Sequence, residues 1–181
     1  MTLEATEIAR NELAMLEKLF GDKPRNAAQI RVLIRSGFSA IEALISMMMV
    51  SASLGMTRMA PNQLSTHEDT HRYFFEICAL YDMAYRIDDS GKIHLSPNKA
   101  TLKGKALFAI KSLARSCGQE FKPQDVDGWN AFVKAVKIRN RITHPSDGDS
   151  LSVTEEEFDT VLEAFGWIVR CNHRARGGKD Y

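Results

Sequence analysis

Seven consecutive residues, Arg139-Asn140-Arg141-Ile142-Thr143-His144-Pro145, gather the side chains best suited to chemistry in this 181-residue chain. Arginine offers a planar fork of donors that fits a phosphate or carboxylate and stays charged at any working pH. Histidine is the side chain that ordinarily changes charge nearest neutrality. Asn140 supplies an amide that can orient its neighbours, and Arg141 and Thr143 add donors that can support an anionic ligand. On an unbroken helix Arg139 and His144 would stand about 140° apart. Pro145, however, pushes the residue before it out of the helical region, so a helix is predicted to end at His144. That break frees the imidazole to serve the same pocket as Arg139. The helix dipole presents its negative end there, a setting suited to proton transfer.

The run leading into this segment says how it is positioned. Trp129, Phe132, Val133 and Val136 follow the spacing of a core-facing helical stripe. Continuing that stripe reaches Arg139, Asn140 and Thr143, while Lys134, Lys137 and Arg141 fall on another side. Polar groups pointing inward must be paired or must line a cavity. Glu42 stands alone as a charge in the apolar stretch 37–56; it either needs a partner, for which Arg139 across the bundle is a candidate, or faces the surface, an equally ordinary reading. A second stripe, Ala131, Ala135, Ile138 and Ile142, predicts burial on a further side and a symmetric homodimer with the motif helices near the two-fold axis. The plain structural alternative makes Arg139 and Asn140 caps of neighbouring helices and His144 a solvated helix end.

A rival string is His67-Glu68-Asp69-Thr70-His71. Two histidines four apart on one helix face can bind zinc, and the glutamate between them can activate the bound water. Its context argues for a polar helix start instead. It follows Ser65-Thr66, and acidic residues are expected in a first turn because of the helix dipole. Asp69 and Arg72 place charge where a zinc-binding helix is normally packed, and no third ligand stands out downstream. No metal and no cofactor is therefore expected, with His67 and His71 the only weak metal candidates.

The elements that must carry these residues read as almost entirely helical. A first helix spans about 3–20 and stops at Gly21-Asp22-Lys23-Pro24. A second starts after Asn26, with Gln29 at the reciprocal capping position, and runs to about Gly55. A third follows Ser65 or Thr66, with Phe74, Ile77, Cys78, Tyr81, Ala84 and Tyr85 on one stripe. Asp88-Asp89-Ser90-Gly91 between two short extended runs predicts a small hairpin-like insertion around 85–95. A fourth helical stripe runs from Leu102 to Cys117, and a fifth helix from about 125–128 to Pro145. The last is capped by Thr154 with Glu157 three residues on, and buries Phe158, Val161, Leu162, Phe165, Ile168 and Val169. The fold class is all-α, a bundle of about five to six helices. Residues 1–25 form a helical extension, 26–172 the bundle, and 173–181 a flexible basic tail, with Arg170, Arg174, Arg176 and Lys179 forming a solvated cluster.

Composition sets the outer bounds. A hydrophobic fraction of 44% and a charged fraction of 26% are those of an ordinary globular domain. The formal net charge of +1 excludes a global basic field but not a local basic site. Cys78, Cys117 and Cys171 are odd in number and widely spaced, which predicts buried, reduced thiols in a cytoplasmic protein. Glu4, Glu7, Glu12 and Glu17 argue against a secretory leader. The apolar stretch 37–56 approaches spanning length but continues a helix carrying Arg31 and Arg35 and contains several serines. It reads as a core helix, with no membrane partner. Met47-Met48-Met49 reads as core packing.

Arg139-Asn140, three residues and His144, with Trp129 and Phe132 ten and seven residues before the arginine, resemble the HEPN domain (higher eukaryotes and prokaryotes nucleotide-binding). The resemblance loosely covers 26–172, with 154–169 matching the closing helix. It implies an all-α homodimer in which two motif copies meet in one composite site that cleaves RNA without metal. His144 would then act as base or acid on the 2′-hydroxyl and leaving oxygen, Arg139 would stabilise the scissile phosphate, and Asn140 would orient the motif. Glu42, Arg141 and Thr143 would support the site or contact RNA. A bacterial defence or toxin–antitoxin setting, with an antitoxin or partner protein, follows from the resemblance alone. No tyrosine stands two residues after His144, unlike the toxin branch whose antitoxin modifies that residue. The alternatives are a catalytically silent HEPN-like dimer that binds RNA, a nucleotide or a protein, and more distantly a zinc hydrolase using His67, Glu68 and His71.

Overall fold

The computed structural model describes residues 7, 10, 11, 14, 15, 18, 21, 24–63, 67–146 and 148–178, with the backbone alone at 58–63, 67–72, 74, 85 and 149. From residue 24 onward the described residues form five helices and one hairpin. These are α1 (Ala27–Gln63), α2 (His67–Leu80), β1 (Met83–Ile87), β2 (Ile93–Pro97), α3 (Leu102–Ser116), α4 (Trp129–Thr143) and α5 (Glu155–Ala175). The chain is an all-α bundle with a small β excursion. The helix expected over 3–20 lies largely outside the described residues, although Glu7, Arg10, Asn11, Ala14, Met15 and Lys18 are helical and exposed. Ser65 and Thr66 are also outside them.

Helix α1 is the central element and packs against both α3 and α5. Asn26 starts it as the sequence implied. Its Oδ1 accepts from Ala28 N and Gln29 N at 3.0 Å, and Gln29 Oε1 accepts from Asn26 N at 2.9 Å. Ile30, Leu33, Ile34, Ile41, Leu44, Ile45 and Met48 are buried. The part of α1 long and apolar enough to cross a membrane, 27–57, is half buried inside the bundle, as a core helix should be. It does not end near Gly55 but continues to Gln63. Gly55 is a contact residue: a Cβ there would stand 2.7 Å from Ser116 Cβ, so the glycine lets α1 and α3 approach closely.

Helix α2 ends at Leu80. The stripe read through Ala84 and Tyr85 is broken there, because Asp82 adopts a left-handed backbone (φ 55°) and strand β1 begins at Met83. β1 and β2 pair antiparallel from Met83 opposite Pro97 to Ile87 opposite Ile93, two residues longer at the open end than 85–95. Asp88 closes the turn by accepting from Ser90 N at 2.9 Å, Ser90 Oγ at 2.6 Å, Lys92 N at 3.0 Å and His94 Nε2 at 2.5 Å. These bonds hold the Asp88 carboxyl down at about pKa 2, with the Ser90 hydroxyl the largest cause and His94 next. Ile87, Ile93 and Leu95 share one hairpin face and remain more than half exposed.

Helices α4 and α5 form a tight pair. The Phe132 and Trp167 rings stack with centroids 4.6 Å apart, and Trp129 lies 5.2 Å from Trp167. Trp167 Nε1 donates to Pro123 O at 3.0 Å. Thr154 and Glu157 form the expected capping box, and Phe158, Val161, Phe165 and Ile168 are buried. α5 continues past the point where a frayed tail was expected: Cys171, Asn172 and Ala175 are buried on it. Its basic residues are engaged by the fold. Arg170 donates to Asp127 O at 2.8 Å, Arg174 lies over the Phe121 ring, and Arg176 reaches Asn172 and Ser51. Lys179 is outside the described residues. Cys171 is buried, and that burial pushes its thiol up to about 12. Cys117, in contrast to the expectation of buried thiols, is exposed at the end of α3, and Cys78 is half-buried.

Candidate functional site

The motif sits on the last turn of α4. Its N-terminus is set by Gly128, whose left-handed backbone (φ 95°) lies so close to Trp167 that a Cβ would stand 2.9 Å away. The ring cluster below fixes the helix rotation, and so the direction in which Arg139 leaves it. At the other end His144 is the C-cap, with φ −127° and ψ 66°, outside the helical region as Pro145 demands. Its N–H still donates to Asn140 O at 3.0 Å.

Arg139 meets the partner proposed for it. Its Nη2 donates to Glu42 Oε1 at 3.0 Å, and its Nη1 makes a longer contact to Asn140 Oδ1 at 3.4 Å. The pair is half open to solvent, Arg139 at 32% and Glu42 at 43%, so it is worth about 0–1 kcal/mol. A carboxylate holding one corner of the fork so lightly extends the arginine while leaving it free to exchange partners with an incoming phosphate.

Arg139 and Asn140 line a cleft of about 690 Å³ between α1, α4 and the start of α3. Ile45, Met49, Leu80, Leu102 and Val136 give it apolar walls, and Ser46, Thr101 and Tyr81 contribute hydroxyls. A second ion pair lines it, Lys105 Nζ to Asp82 Oδ2 at 2.5 Å. Thr101 is the N-cap of α3 and accepts from Gly104 N at 3.1 Å, which places Lys105 one turn into that helix. With two cations and two carboxylates the cleft carries no net charge, and its volume and mixed lining suit a small organic group.

The other motif residues are placed differently. Arg141 turns to α5, where its Nη2 donates to both oxygens of Glu157 at 2.7 and 2.8 Å. It clamps α4 to α5. The Thr143 hydroxyl donates to Arg139 O at 2.7 Å, within its own helix. His144 is exposed and is not among the residues lining the cleft. Within this chain Arg139 lines the cleft and His144 does not. The stripe assigned to a dimer axis is also covered by the chain itself: Ala131, Ala135 and Ile142 are buried and Ile138 is partly buried. The exposed residues of α4 are Asn130, Lys134, Lys137, Asn140 and Thr143, followed by His144.

The histidine-rich string opens α2, and its side chains lie outside the described ones. Among the described residues no group of three or more His, Cys, Asp or Glu is arranged to hold a metal.

Asp82, Tyr81 and Lys105 were missed by sequence reasoning because the stripe of α2 was carried straight through the turn. An aspartate just ahead of a run with strand character was the available signal, since Asp is among the few residues that tolerate the left-handed region. No family model, curated protein or solved structure matches the chain.

Proposed function

We propose that this chain is a metal-independent endoribonuclease of the HEPN type that works as a homodimer. The observation that carries the reading is the division of the motif. Arg139 and Asn140 face a nucleotide-sized cleft, while His144 is exposed and does not line it. One chain alone thus offers an anion-binding arginine with no histidine lining the same cleft. Pairing with a second copy brings the two His144 side chains together at the phosphate that Arg139 binds. The adjacent 2′-hydroxyl attacks the phosphorus as one imidazole takes its proton. The bond to the 5′-oxygen breaks as a second imidazole protonates that leaving group, and a 2′,3′-cyclic phosphate remains. Arg139 contributes two N–H groups to the charge building on the phosphate, and Glu42 and Asn140 hold the fork in place.

Incubating the protein with a mixed RNA pool in EDTA and analysing product ends tests this directly. Cyclic phosphate and 5′-hydroxyl ends are expected, and the protein should elute as a dimer. Absence of cleavage across transfer, messenger and ribosomal RNA would replace this reading with a second one, a binding module. One observation favours that second reading: the hairpin presents Ile87, Ile93 and Leu95 to solvent together, an apolar face of the kind that marks a protein contact.

A further inference from the structure

The part of the cleft lined by Tyr81, Asp82 and Lys105 holds groups that the proposed cleavage does not use. Asp82 sits at its wall in a left-handed conformation and carries an oxygen, Oδ1, that is shielded from water and has no hydrogen-bond partner. Its other oxygen accepts from Lys105 Nζ at 2.5 Å. The strained backbone is pinned, because Asp82 N donates to Ala79 O at 3.0 Å and Asp82 O accepts from Asn98 N at 2.8 Å. Strained positions held from both sides, with an acceptor left unsatisfied, are where ligand contacts concentrate. Tyr81, next to it, lines the same cleft and is 61% exposed. An ordinary core or surface role accounts poorly for an exposed aromatic beside a carboxylate with one unpaired oxygen.

We infer that this part of the cleft is a nucleobase subsite that selects guanine next to the phosphate held by Arg139. The inference rests on the ribonuclease reading for the phosphate, and on the cleft alone for the base. Lys105 Nζ, Asp82 Oδ2 and, once turned outward, Asp82 Oδ1 would supply one donor and two acceptors. Guanine presents the complement along one edge: the O6 acceptor, then the N1–H and N2–H donors. A small rotation of the carboxylate about its last torsion, which is soft, brings Oδ1 to the ligand. Uracil offers acceptor, donor, acceptor on that edge and leaves one Asp82 oxygen unpaired. Adenine offers a single donor beside one acceptor, and cytosine a single donor beside two. Tyr81 provides a ring on which any base can stack, so it adds affinity without choosing among bases. Ile45, Met49, Leu80 and Val136 cover the base's faces and keep water from competing for its edge.

The test is calorimetric titration of the full chain with guanosine, adenosine, cytidine and uridine 3′-monophosphates, alongside mapping of cleavage sites in a random RNA pool. Guanosine 3′-monophosphate should bind at least about tenfold more tightly than the uridine compound, since one charged acceptor is left unpaired by the latter. Asp82→Asn, which tolerates the same backbone, should bring the four nucleotides within about twofold of one another while the melting temperature holds. Tyr81→Ala should weaken all four by a similar factor. Arg139→Ala should weaken all four and leave the ratio between them intact. Cleavage with no preference for guanine and equal binding of all four nucleotides would overturn the subsite and leave the ribonuclease reading standing. Guanine-selective binding lost in Asp82→Asn, without any cleavage, would support the subsite and remove the ribonuclease reading. Retained guanine selectivity in Asp82→Asn would overturn the assignment to Asp82.

Discussion

Replacing Glu157 separates two contributions that hold the motif helix in place. Its carboxylate closes the α5 capping box by accepting from Thr154 N at 3.2 Å, and the same group accepts both bonds from Arg141. The capping bond lies at an exposed helix start and is worth about 0.5–1 kcal/mol. One Arg141 nitrogen bridges both Glu157 oxygens, but Arg141 is 37% and Glu157 26% exposed, so screening limits the pair to about 0.5–1 kcal/mol. Glu157→Ala removes both and should cost about 1–2 kcal/mol, which for a chain of this size lowers Tm by roughly 2–8 °C. Glu157→Gln keeps an amide oxygen for Thr154 N and loses only the charge, so about half that drop is expected. Calorimetric melting of both variants, of Arg141→Ala and of the Glu157→Gln/Arg141→Ala double variant provides the assay. The double variant should melt close to Glu157→Gln, because the partner is already gone. Salt at ~1 M, where the Debye length is about 3 Å, should narrow the gap between wild type and Glu157→Gln. Full additivity of the two substitutions, or equal drops for Gln and Ala, would refute this division of labour.

Other expectations test separate parts of the structure. Gly55→Ala forces a Cβ against Ser116 and should destabilise the α1–α3 crossing by about 1–3 kcal/mol, with partial recovery in Gly55→Ala/Ser116→Gly measured by denaturant melting. The Asp88 turn should be acid-labile in a defined window. Its carboxyl is held at about 2 in the folded chain against 3.8 ordinarily, so its contribution is complete above about pH 4 and is lost as pH falls through 2. Amide chemical shifts of Ser90 and Lys92 should report this before the helices respond. In native protein a maleimide should label exposed Cys117 and spare Cys171, whose thiol is buried and pushed up to about 12; mass spectrometry before and after unfolding reads the pattern.

The bundle was legible because helical signals are local. Asn26 with Gln29, Thr154 with Glu157 and Pro145 after His144 each fix a helix end through atoms within a few residues, and all three did so. What failed was long-range or depended on turn geometry. Gly55 reads as a stop in sequence, yet its role is set by Ser116 on another helix. The α2 stripe ran on through Asp82 because periodicity carries no information about a single left-handed residue. Ala131, Ala135 and Ile142 were assigned to a dimer axis, but α4 packs deeply enough that its own chain covers them. The Arg139–Glu42 pair was one of two readings of a lone charge in an apolar helix, and Glu42 both meets Arg139 and stays 43% exposed. The Lys105–Asp82 pair was not anticipated, since both residues flank loops where charge is ordinary.

The most direct test of the central claim is the rate at which His144→Ala cleaves an RNA that the wild type cuts in EDTA. One positioned acid–base group contributes about a hundred- to ten-thousand-fold, and the exposed ring of His144 lies outside the core. The variant is therefore expected to fold and dimerise as wild type while losing at least about a hundredfold in rate. A folded His144→Ala protein that cleaves at the wild-type rate would contradict the account.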